Sequence, residues 1–293
     1  MLLSRFAPAP TGYLHLGHVV NAIYVWGVTK RAGGRVLLRM EDHDRRRSRP
    51  EFERAILDDL DWLGFAPDDP PTSAFRAGPC PGRQRDRSEV YEAALSRLRA
   101  AGLVYACECS RSDIASAPSQ GGELRYSGIC AAKRLPERAG LGLRIRLGPS
   151  VERFHDLRHG PLEQRPSEQC GDLLVRDRDG NWTYQFAVTA DDAAQGVTLV
   201  IRGDDLLAST GRQIQLARLL GRTDPPRFMH HPLVMKSPTQ KLSKADRDTS
   251  VRDLRAAGLS AEDVIGRAAE RAGLMGECRP VRACDVERLP GFD

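Results

Sequence analysis

Two histidines, His15 and His18, stand three residues apart in the stretch APAPTGYLHLGH, which spans residues 7–18. Imidazoles at this spacing can ligate a metal, hydrogen-bond phosphate oxygens, or simply be polar residues near the start of a helix. A turn rich in Pro and Gly precedes them and an apolar run follows, which predicts the N-terminus of a helix, where backbone N–H groups favour anions. Since no third ligand stands nearby in sequence, phosphate contact is a stronger hypothesis than metal ligation, and two surface polar residues are an equal alternative to it. Gly12 and Gly17 would allow a ligand to approach the backbone closely.

A second group of cations stands far downstream, where Lys241 and Lys244 flank Ser243 in the stretch KLSKA. Lysine is a strong point charge, and it suits a loop that must close on phosphates and open again. A K-x-S-K sequence by itself is also typical of a solvated basic loop. Its combination with the upstream histidines is more specific and predicts a triphosphate that is held from two sides.

The first 65 residues indicate the frame that positions these groups, because they read as strand, helix, strand, helix. An extended SRFAPAP is followed by an apolar helix over residues 17–32. The stretch RVLLRM (35–40) is apolar without alternation, which predicts a strand buried on both faces. The amphipathic stretch PEFERAILDDLDWLGF has Pro50 at its start and Gly64 at its end. This order favours an α/β fold with a Rossmann-like parallel sheet.

The chain changes character between residues 103 and 190, where turns, short strands and a cysteine cluster dominate. The stretch DLLVRDRDGNWTYQF predicts a hairpin whose turn is Asp179-Gly180. VTLVIRG (197–203) reads as a sheet strand again. We therefore expect a catalytic domain over 1–102 and 191–250, split by an inserted α+β subdomain over 103–190 and followed by a short helical C-terminal extension over 251–293.

The composition narrows the class of protein. A chain of 293 residues with 41% hydrophobic content can form one large domain or two ordinary ones. No apolar run is long enough for a membrane span or a secretory signal, so we expect a cytoplasmic protein with no membrane partner. The net charge of +5 permits a nucleic-acid partner without requiring one. Seven cysteines in that compartment argue against a disulfide framework, and the four scattered ones read as plain thiols: Cys80, Cys170, Cys278 and Cys284.

The sequence blocks together resemble the class I aminoacyl-tRNA synthetases, with HLGH as the HIGH motif and KLSKA as the KMSKS motif. Within that class the chain is most similar to the glutamyl-tRNA synthetases. RFAPAPTGYLHLGH, LLRMEDHD and VIRGDDLLAST match blocks of that family and run in its order between residues 5 and 245. Ala245 replaces the final Ser of the family motif, which we expect to adjust closure of the loop without abolishing activity.

Two departures from that pattern point to a narrower family. Only 48 residues follow Ala245, too few for the helical domain with which glutamyl-tRNA synthetases read the anticodon. In addition, CECS and RYSGIC resemble the zinc site of the truncated glutamyl-queuosine tRNA(Asp) synthetases. This resemblance implies ATP-dependent, tRNA-independent activation of L-glutamate to glutamyl-adenylate and transfer of glutamate to queuosine in the anticodon of tRNA(Asp). It implies ATP, L-glutamate and tRNA(Asp) carrying queuosine as partners, and we expect a monomer.

The same resemblance implies roles for individual residues. Activation needs no general base, since the attacking carboxylate is already charged, so positioning and stabilisation of phosphate charge should dominate. Glutamate needs cations for its carboxylates and an anion for its ammonium. The catalytic and ATP-binding residues would be His15, Gly17, His18, Lys241 and Lys244, with Mg²⁺ bridging the phosphates. The glutamate-binding residues would be Arg5, Phe6, Ala7, Pro8, Ala9, Glu41, Tyr184 and Arg202.

The cysteine cluster is a candidate structural zinc site, with one ion per chain. Cys107, Cys109 and Cys130 offer three thiolates, whereas a tetrahedral zinc needs four ligands. By resemblance, Tyr126 supplies the fourth through its phenolate oxygen. Three cysteines without a metal are the alternative.

Three other functions are compatible with parts of the sequence. A minimal glutamyl-tRNA synthetase would charge the 3′ end of tRNA(Glu). A small-molecule nucleotidylyltransferase would share the H-x-G-H stretch but not the RFAPAPTG and VIRGDD blocks. A catalytically inactive RNA-binding paralogue would have no need of HLGH, Glu41, Arg202 and KLSK together. The stretch DRRRSR (44–49) either contacts RNA phosphates or is a solvated helix start.

Overall fold

The first 65 residues form strand, helix, strand and helix, as the sequence predicts. The structure, a computed structural model, describes residues 1–115, 124–237, 240–241 and 249–292. Its elements are β1 (Leu3–Phe6), α1 (Leu16–Arg31), β2 (Arg35–Leu38), α2 (Pro50–Leu63), α3 (Thr72–Ala77), α4 (Ser88–Ala100), β3 (Val104–Cys107), α5 (Arg111–Ala115), β4 (Gly142–Ile145), β5 (Glu152–Asp156), β6 (Gly160–Gln164), α6 (Pro166–Gln169), β7 (Leu173–Arg176), α7 (Tyr184–Ala194), β8 (Leu199–Gly203), α8 (Thr210–Leu219), β9 (Arg227–His231), β10 (Met235–Ser237), β11 (Gln240–Lys241), α9 (Val251–Ala256) and α10 (Ala261–Arg271). None of the helices in the described ranges is both long and apolar enough to cross a membrane.

The chain forms two units, each made of separate stretches of sequence. The first comprises Met1–Asp86, Val197–Leu206 and Phe228–Asp293. The second comprises Arg87–Gly196 and Leu207–Arg227. The chain thus leaves the first unit after β2 and its following helices, and returns to it at β8.

The first unit is built on parallel strands. β1 and β2 pair in parallel, with Leu3 opposite Arg35 and Phe6 opposite Leu38, and α1 is the crossover that such a pair requires. β8 begins beside β1, because the Thr198 N–H donates to the Leu3 carbonyl over 2.9 Å, and β8 is hydrogen-bonded to β9. The predicted mixed α/β fold with a parallel sheet is confirmed.

α2 begins and ends where its sequence signals predict. Pro50 is its first residue, where its missing N–H costs nothing, and Gly64 closes it in the left-handed region with a φ of 81°. Its apolar residues Ile56, Leu57 and Leu60 are at most 1% exposed. The helix therefore packs its apolar face within the first unit, while Glu51, Arg54, Asp58 and Asp61 are exposed to solvent.

Asp59 is a buried carboxyl on α2 that makes the stability of this unit depend on pH. The residue is 3% exposed, and its Oδ2 has no hydrogen-bond partner within the described ranges. Burial, reinforced by the Asp58 carboxylate, raises the pKa of Asp59 from 3.8 to about 7, although Arg255 and Arg252 oppose the shift. Folding therefore takes up a proton between these two pKa values, and the free energy of unfolding falls as the pH rises through that window.

We expect Asp59→Asn, which removes the charge and keeps the shape, to be more stable than the wild type at pH 8 by up to about 4 kcal/mol. The difference should be much smaller at pH 5, where the folded wild type already carries the proton. Urea unfolding followed by circular dichroism at several pH values measures this. Glu51→Gln, at an exposed position of the same helix, is the charge-matched control. An Asp59→Asn difference that does not change with pH would contradict the prediction.

The second unit contains antiparallel sheets and helices. β3, β4 and β7 form one sheet in the order β3-β4-β7, and β5 pairs with β6. Its core includes Tyr91 and Leu95 of α4, Ile145 of β4 and Phe186 of α7, all fully buried. This unit is the α+β part of the chain.

The predicted hairpin over DLLVRDRDGNWTYQF has only one regular strand. β7 ends at Arg176, and the returning chain makes a single antiparallel bridge from Arg176 to Trp182. The turn residue Gly180 has a φ of 82°, as its position requires. TYQF, expected to be the second strand, instead begins helix α7 at Tyr184, because Phe186, Ala187 and Ala190 then share the buried face of a helix.

Candidate active site

The two histidines of HLGH cap the helix that follows them. His15 is the N-cap of α1, and its Nδ1 accepts a hydrogen bond from the Gly17 N–H over 3.1 Å. The His18 Nδ1 accepts in turn from the His15 N–H over 3.1 Å, and the ring centroids lie 4.0 Å apart. A neutral imidazole that accepts at Nδ1 carries its proton on Nε2. Both rings are therefore set to donate from Nε2 at the positive end of a helix.

Gly17 is required by the neighbouring imidazole. A Cβ at this position would lie 2.9 Å from the His15 Cε1 and 3.1 Å from its Nδ1. The sequence suggested that Gly17 admits a ligand to the backbone, and the structure adds that it admits the side chain of His15. The residue thus supports the cap and the orientation of the ring together.

We expect Gly17→Ala to displace the His15 ring and to lower the rate of ATP–pyrophosphate exchange roughly 10- to 100-fold. Circular dichroism should show α1 still folded, since alanine favours helix. Gly276→Ala is the matched control, because nothing lies within 4 Å of the position of its added Cβ. Exchange by Gly17→Ala at the wild-type rate would show that the orientation of His15 is not important.

Three predicted glutamate-binding residues lie on neighbouring strands of the first unit, near the carboxyl ends of the strands. Arg5 is in β1, Arg202 is in β8, and Glu41 follows β2; they are 4%, 4% and 7% exposed, respectively. The Arg5 Nη1 donates to the Ile201 carbonyl over 3.2 Å, and this contact joins β1 to β8. Parallel α/β sheets bind their ligands at this edge. The structure therefore brings these three side chains to the expected end of the sheet.

The backbone of Phe6, Ala7, Pro8 and Ala9 continues along the same edge. The Arg39 N–H donates to the Phe6 carbonyl, and the Glu41 N–H donates to the Pro8 carbonyl, both over 3.0 Å. The stretch thus runs beside the end of β2 as an extension of the strand pair. Its predicted role in binding the amino acid stays a prediction.

Two residues that the sequence analysis did not identify hold the charged groups in place. The Arg39 Nη2 lies 3.2 Å from the Glu41 Oε1, and the Arg39 side chain is fully buried. The Arg202 Nε donates to the His230 Nε2 over 3.0 Å, with Phe228 beneath its guanidinium at 5.7 Å. An arginine inside the apolar run RVLLRM was the available signal for Arg39, since a buried charge needs a partner. His230 had no comparable signal.

The structure describes some of the remaining predicted site residues, but not all of them. Tyr184 is the half-buried first residue of α7, in the second unit. The backbone of Lys241 belongs to β11, opposite Met235, whereas Lys244 lies outside the described residues. Further along, Ser250 lies opposite His15 in an antiparallel bridge, so the chain after KLSK returns to the HLGH histidines.

The arginine-rich stretch 44–49 is a turn that leads into α2. Arg47 pairs with Asp44 over 2.6 Å, and the Arg49 Nη1 donates to the Arg46 carbonyl over 2.8 Å. Beside this turn lies a cavity of about 410 Å³, lined in part by Arg45, Arg49, Arg85, Asp42 and Glu53. The turn therefore presents arginines to solvent next to a polar cavity.

The cysteine cluster lies in the second unit and includes the predicted tyrosine. The Sγ atoms of Cys107, Cys109 and Cys130 lie within 4.8 Å of one another, and the last two are 3.4 Å apart. The Tyr126 hydroxyl is 3.4 Å from the Cys107 Sγ and 4.0 Å from the Cys109 Sγ. Ligands at about 2.3 Å from a tetrahedral zinc would be about 3.8 Å apart. The four side chains therefore fit a zinc ion.

Backbone contacts fix this cluster. Cys107 ends β3 opposite Gly142, and the Tyr126 N–H donates to the Cys170 carbonyl over 3.0 Å. Gly171 cannot be replaced without movement, since its φ is +67° and a Cβ would lie 1.9 Å from the Tyr126 carbonyl oxygen. The main chain of the tyrosine is thus fixed by its contacts with Cys170 and Gly171.

The thiols of the cluster differ in acidity. Burial opposes ionisation of Cys130, but hydrogen bonds, first among them that of the Tyr126 hydroxyl, lower its pKa to about 7. Burial and the hydrogen bond with Cys130 raise the pKa of Cys109 to about 12. Cys130 thus ionises more readily than Cys109, and metal binding, which releases protons from its ligands, would ionise the thiols that remain protonated.

A histidine-capped helix start and charged side chains at the ends of parallel strands are typical of α/β proteins that bind anionic ligands at this edge of the sheet. Comparison with known proteins narrows this class. The family model described as tRNA synthetases class I (E and Q), catalytic domain, matches residues 1–273. The chain belongs to this family, and it is therefore a ligase of the aminoacyl-tRNA synthetase type, as the resemblance implied.

Individual relatives agree with this assignment. The chain is 42% identical over 308 residues to a "Glutamyl-Q tRNA(Asp) synthetase" of Symbiobacterium thermophilum, covering 100% of this chain and 93% of the relative. It is 36% identical over 298 residues to "Glutamate--tRNA ligase 2" of Syntrophus aciditrophicus, covering 97% of this chain and 60% of the relative. The crystal structure of a glutamate tRNA ligase from Elizabethkingia meningosepticum, in complex with its amino acid, superposes with a TM-score of 0.78 at 25% identity, covering 100% of this chain and 64% of that one.

Proposed function

We propose that the protein activates L-glutamate with ATP and transfers it to queuosine in the anticodon of tRNA(Asp). The observation that carries the proposal is the set of buried Arg5, Arg202 and Glu41 at one edge of a class I catalytic sheet. The identity of the RNA follows from relatives named for this reaction, which match over nearly their whole length. A minimal glutamyl-tRNA synthetase that charges the 3′ end of tRNA(Glu) is the alternative.

In the first step, the α-carboxylate of glutamate attacks the α-phosphorus of ATP, and pyrophosphate leaves with the electron pair of the broken P–O bond. The products are glutamyl-adenylate and pyrophosphate. The Nε2–H groups of His15 and His18 donate hydrogen bonds to phosphate oxygens, and Lys241 and Lys244 neutralise the departing pyrophosphate. Mg²⁺ bound with ATP would supply further charge neutralisation on the phosphates.

Recognition of glutamate is divided between the strand ends. Arg5 and Arg202 bind carboxylates, since a guanidinium offers two parallel hydrogen bonds to a carboxylate and discriminates it from an amide. Glu41 binds the ammonium group. The Arg39–Glu41 and Arg202–His230 contacts keep these side chains in one orientation before glutamate arrives, and such preorganisation lowers the cost of binding.

In the second step, a hydroxyl oxygen of queuosine attacks the carbonyl carbon of glutamyl-adenylate and loses its proton. An ester bond forms, the bond from the carbonyl carbon to the phosphate oxygen breaks, and AMP leaves. An anticodon loop is single-stranded, and its bases can be turned outward to reach an enzyme site. Arginines of the stretch 44–49 contact its phosphates beside the polar cavity. ATP and tRNA both occur in the cytoplasm, where we place the reaction, and we propose that the protein acts as a monomer.

One structural Zn²⁺ per chain is part of this proposal. Cys107, Cys109 and Cys130 would hold it as thiolates, and Tyr126 would hold it as a phenolate. With four protein ligands the ion would have no open position, so its role would be to stabilise the second unit and it would take no part in the chemistry.

Glutamate-dependent ATP–pyrophosphate exchange in the absence of tRNA tests the first step. We expect exchange with glutamate and none with glutamine or aspartate. The alternative predicts that tRNA(Glu) must be added before exchange is seen. That result would contradict the proposed function and favour charging of the 3′ end.

A further inference from the structure

We propose that Arg144 is a positioning residue of the metal site, where its guanidinium supports the Cys107 thiolate and the Tyr126 phenolate at once. The proposal rests on the proposed zinc site and deepens it. Arg144 lies in β4, and nothing in its sequence context, LGLRIRLG, marks it as different from Arg146. The structure separates the two, since Arg144 is 6% exposed and Arg146 is exposed.

Two contacts join Arg144 to the proposed ligands. Its Nε donates to the Cys107 Sγ over 3.4 Å, in a buried hydrogen bond. Its guanidinium carbon lies 3.7 Å from the centroid of the Tyr126 ring, stacked on the face of the aromatic system. A single planar cation thus meets a sulfur through its edge and an aromatic face through its plane, which the point charge of a lysine cannot reproduce.

The guanidinium of Arg144 is also hydrogen-bonded to a residue outside the cluster. The Arg144 Nη1 donates to the Asp172 carbonyl over 2.7 Å. The Asp172 carboxylate accepts from the Tyr105 hydroxyl over 2.6 Å and from the Leu147 N–H over 2.9 Å. These contacts leave Arg144 little freedom to turn away from the cluster, so its charge stays beside the ligands.

Charge balance explains why such a residue is needed. Three thiolates and a phenolate carry four negative charges, so a zinc ion bound by them leaves two uncompensated. A net charge buried away from water is unfavourable unless it is paired. The guanidinium is always charged and lies in contact with two of the four ligands. Lys133 also stands near the cluster, but it is solvent-exposed and already pairs with Glu108 over 2.6 Å.

The competing interpretation is that Arg144 only ties β4 to the segment before β7, through Asp172. A purely structural role would lower the stability of the unit without changing how tightly the folded unit holds a metal. Groups around the ligands that act on a metal typically change its affinity by about 10- to 100-fold. Metal affinity measured on folded protein therefore separates the two roles.

The test uses four full-length proteins: wild type, Arg144→Met, Arg144→Lys and Arg146→Met. Arg146→Met removes the same charge two residues away. Zinc affinity is measured by competition with a chromophoric chelator, and the thiolate-to-cobalt absorption bands are recorded after exchange with Co²⁺. Thermal unfolding of the metal-stripped proteins measures the structural contribution alone.

We expect Arg144→Met to bind zinc about 10- to 100-fold more weakly than wild type, with altered cobalt bands. Arg144→Lys should fall between them, since it keeps the charge and loses the stacking and the fork. Arg146→Met should match the wild type. If Arg144→Met does not fold, the comparison of the other two variants tests the proposal. Zinc binding should then be weaker in Arg144→Lys than in Arg146→Met.

Wild-type zinc affinity in both Arg144 variants would overturn this inference and leave the zinc site standing. A wild-type protein that binds neither zinc nor cobalt would overturn the zinc site, and the role of Arg144 with it. Weak binding by Arg146→Met as well would show that the effect is one of overall charge and would also overturn the inference.

Discussion

Replacing Arg202 by alanine is expected to raise the KM for glutamate in ATP–pyrophosphate exchange by about 100-fold. Arg202 is buried at the end of β8, and removing it leaves a carboxylate of the substrate without its cation in a site shielded from water. The KM for ATP should change little, because the proposed phosphate contacts come from other residues. Steady-state exchange kinetics at varied glutamate and at varied ATP separate these effects.

Two controls make the Arg202 result interpretable. Arg227→Ala removes an exposed arginine from β9, the strand paired with β8, and should leave the KM for glutamate unchanged. Thermal unfolding should show Arg202→Ala folded but less stable by about 1–3 kcal/mol, since the buried hydrogen bond from the Arg202 Nε to the His230 Nε2 is lost. A folded Arg202→Ala protein with the wild-type KM for glutamate would contradict the assignment.

Substitutions at His18 are expected to lower kcat of exchange by about 100-fold when they remove the Nε2 donor. The geometry allows the two nitrogens to be tested separately. The Oδ1 of His18→Asn can accept from the His15 N–H as the Nδ1 does, but this shorter side chain does not reach the position of the Nε2. The amide nitrogen of His18→Gln reaches that position and can donate there.

His18→Asn should therefore be nearly as stable as the wild type and nearly inactive. His18→Gln should lose more stability, because the helix cap is weakened, and it should keep more activity. Exchange rates and thermal unfolding of the two variants side by side measure this. Greater activity in His18→Asn than in His18→Gln would mean that His18 acts through the cap alone and does not donate to phosphate.

Much of the first unit follows from local sequence. The continuous apolar run of β2 predicted a buried parallel strand, and Pro50 and Gly64 predicted the ends of α2; the structure has all three. These signals are local, since they depend on backbone geometry within a few residues. The family blocks then predicted Arg5 and Arg202 on separate strands and Glu41 at the end of another, and the structure has Arg5 in β1, Arg202 in β8 and Glu41 just after β2.

What the sequence did not reveal depends on contacts between distant residues. His230 supports Arg202 across two neighbouring strands, and no spacing within either strand indicates the pair. Arg144 and Arg146 have the same type and the same local context, yet only the fold places one of them on the Tyr126 ring. The prediction that NWTYQF forms the second strand of a hairpin was wrong, since a helix begins at Tyr184. The burial of Phe186 on that helix outweighed the preference of these residues for a strand.

The measurement that tests the central claim most directly is the position of labelled glutamate on the tRNA. The protein is incubated with ATP, radiolabelled glutamate and tRNA(Asp) from cells that make queuosine, and nuclease fragments are then separated. We predict that the label is in the fragment that contains the anticodon, and that tRNA(Asp) from cells lacking queuosine takes up none. Label in the 3′-terminal fragment, or equal labelling with and without queuosine, would contradict the account.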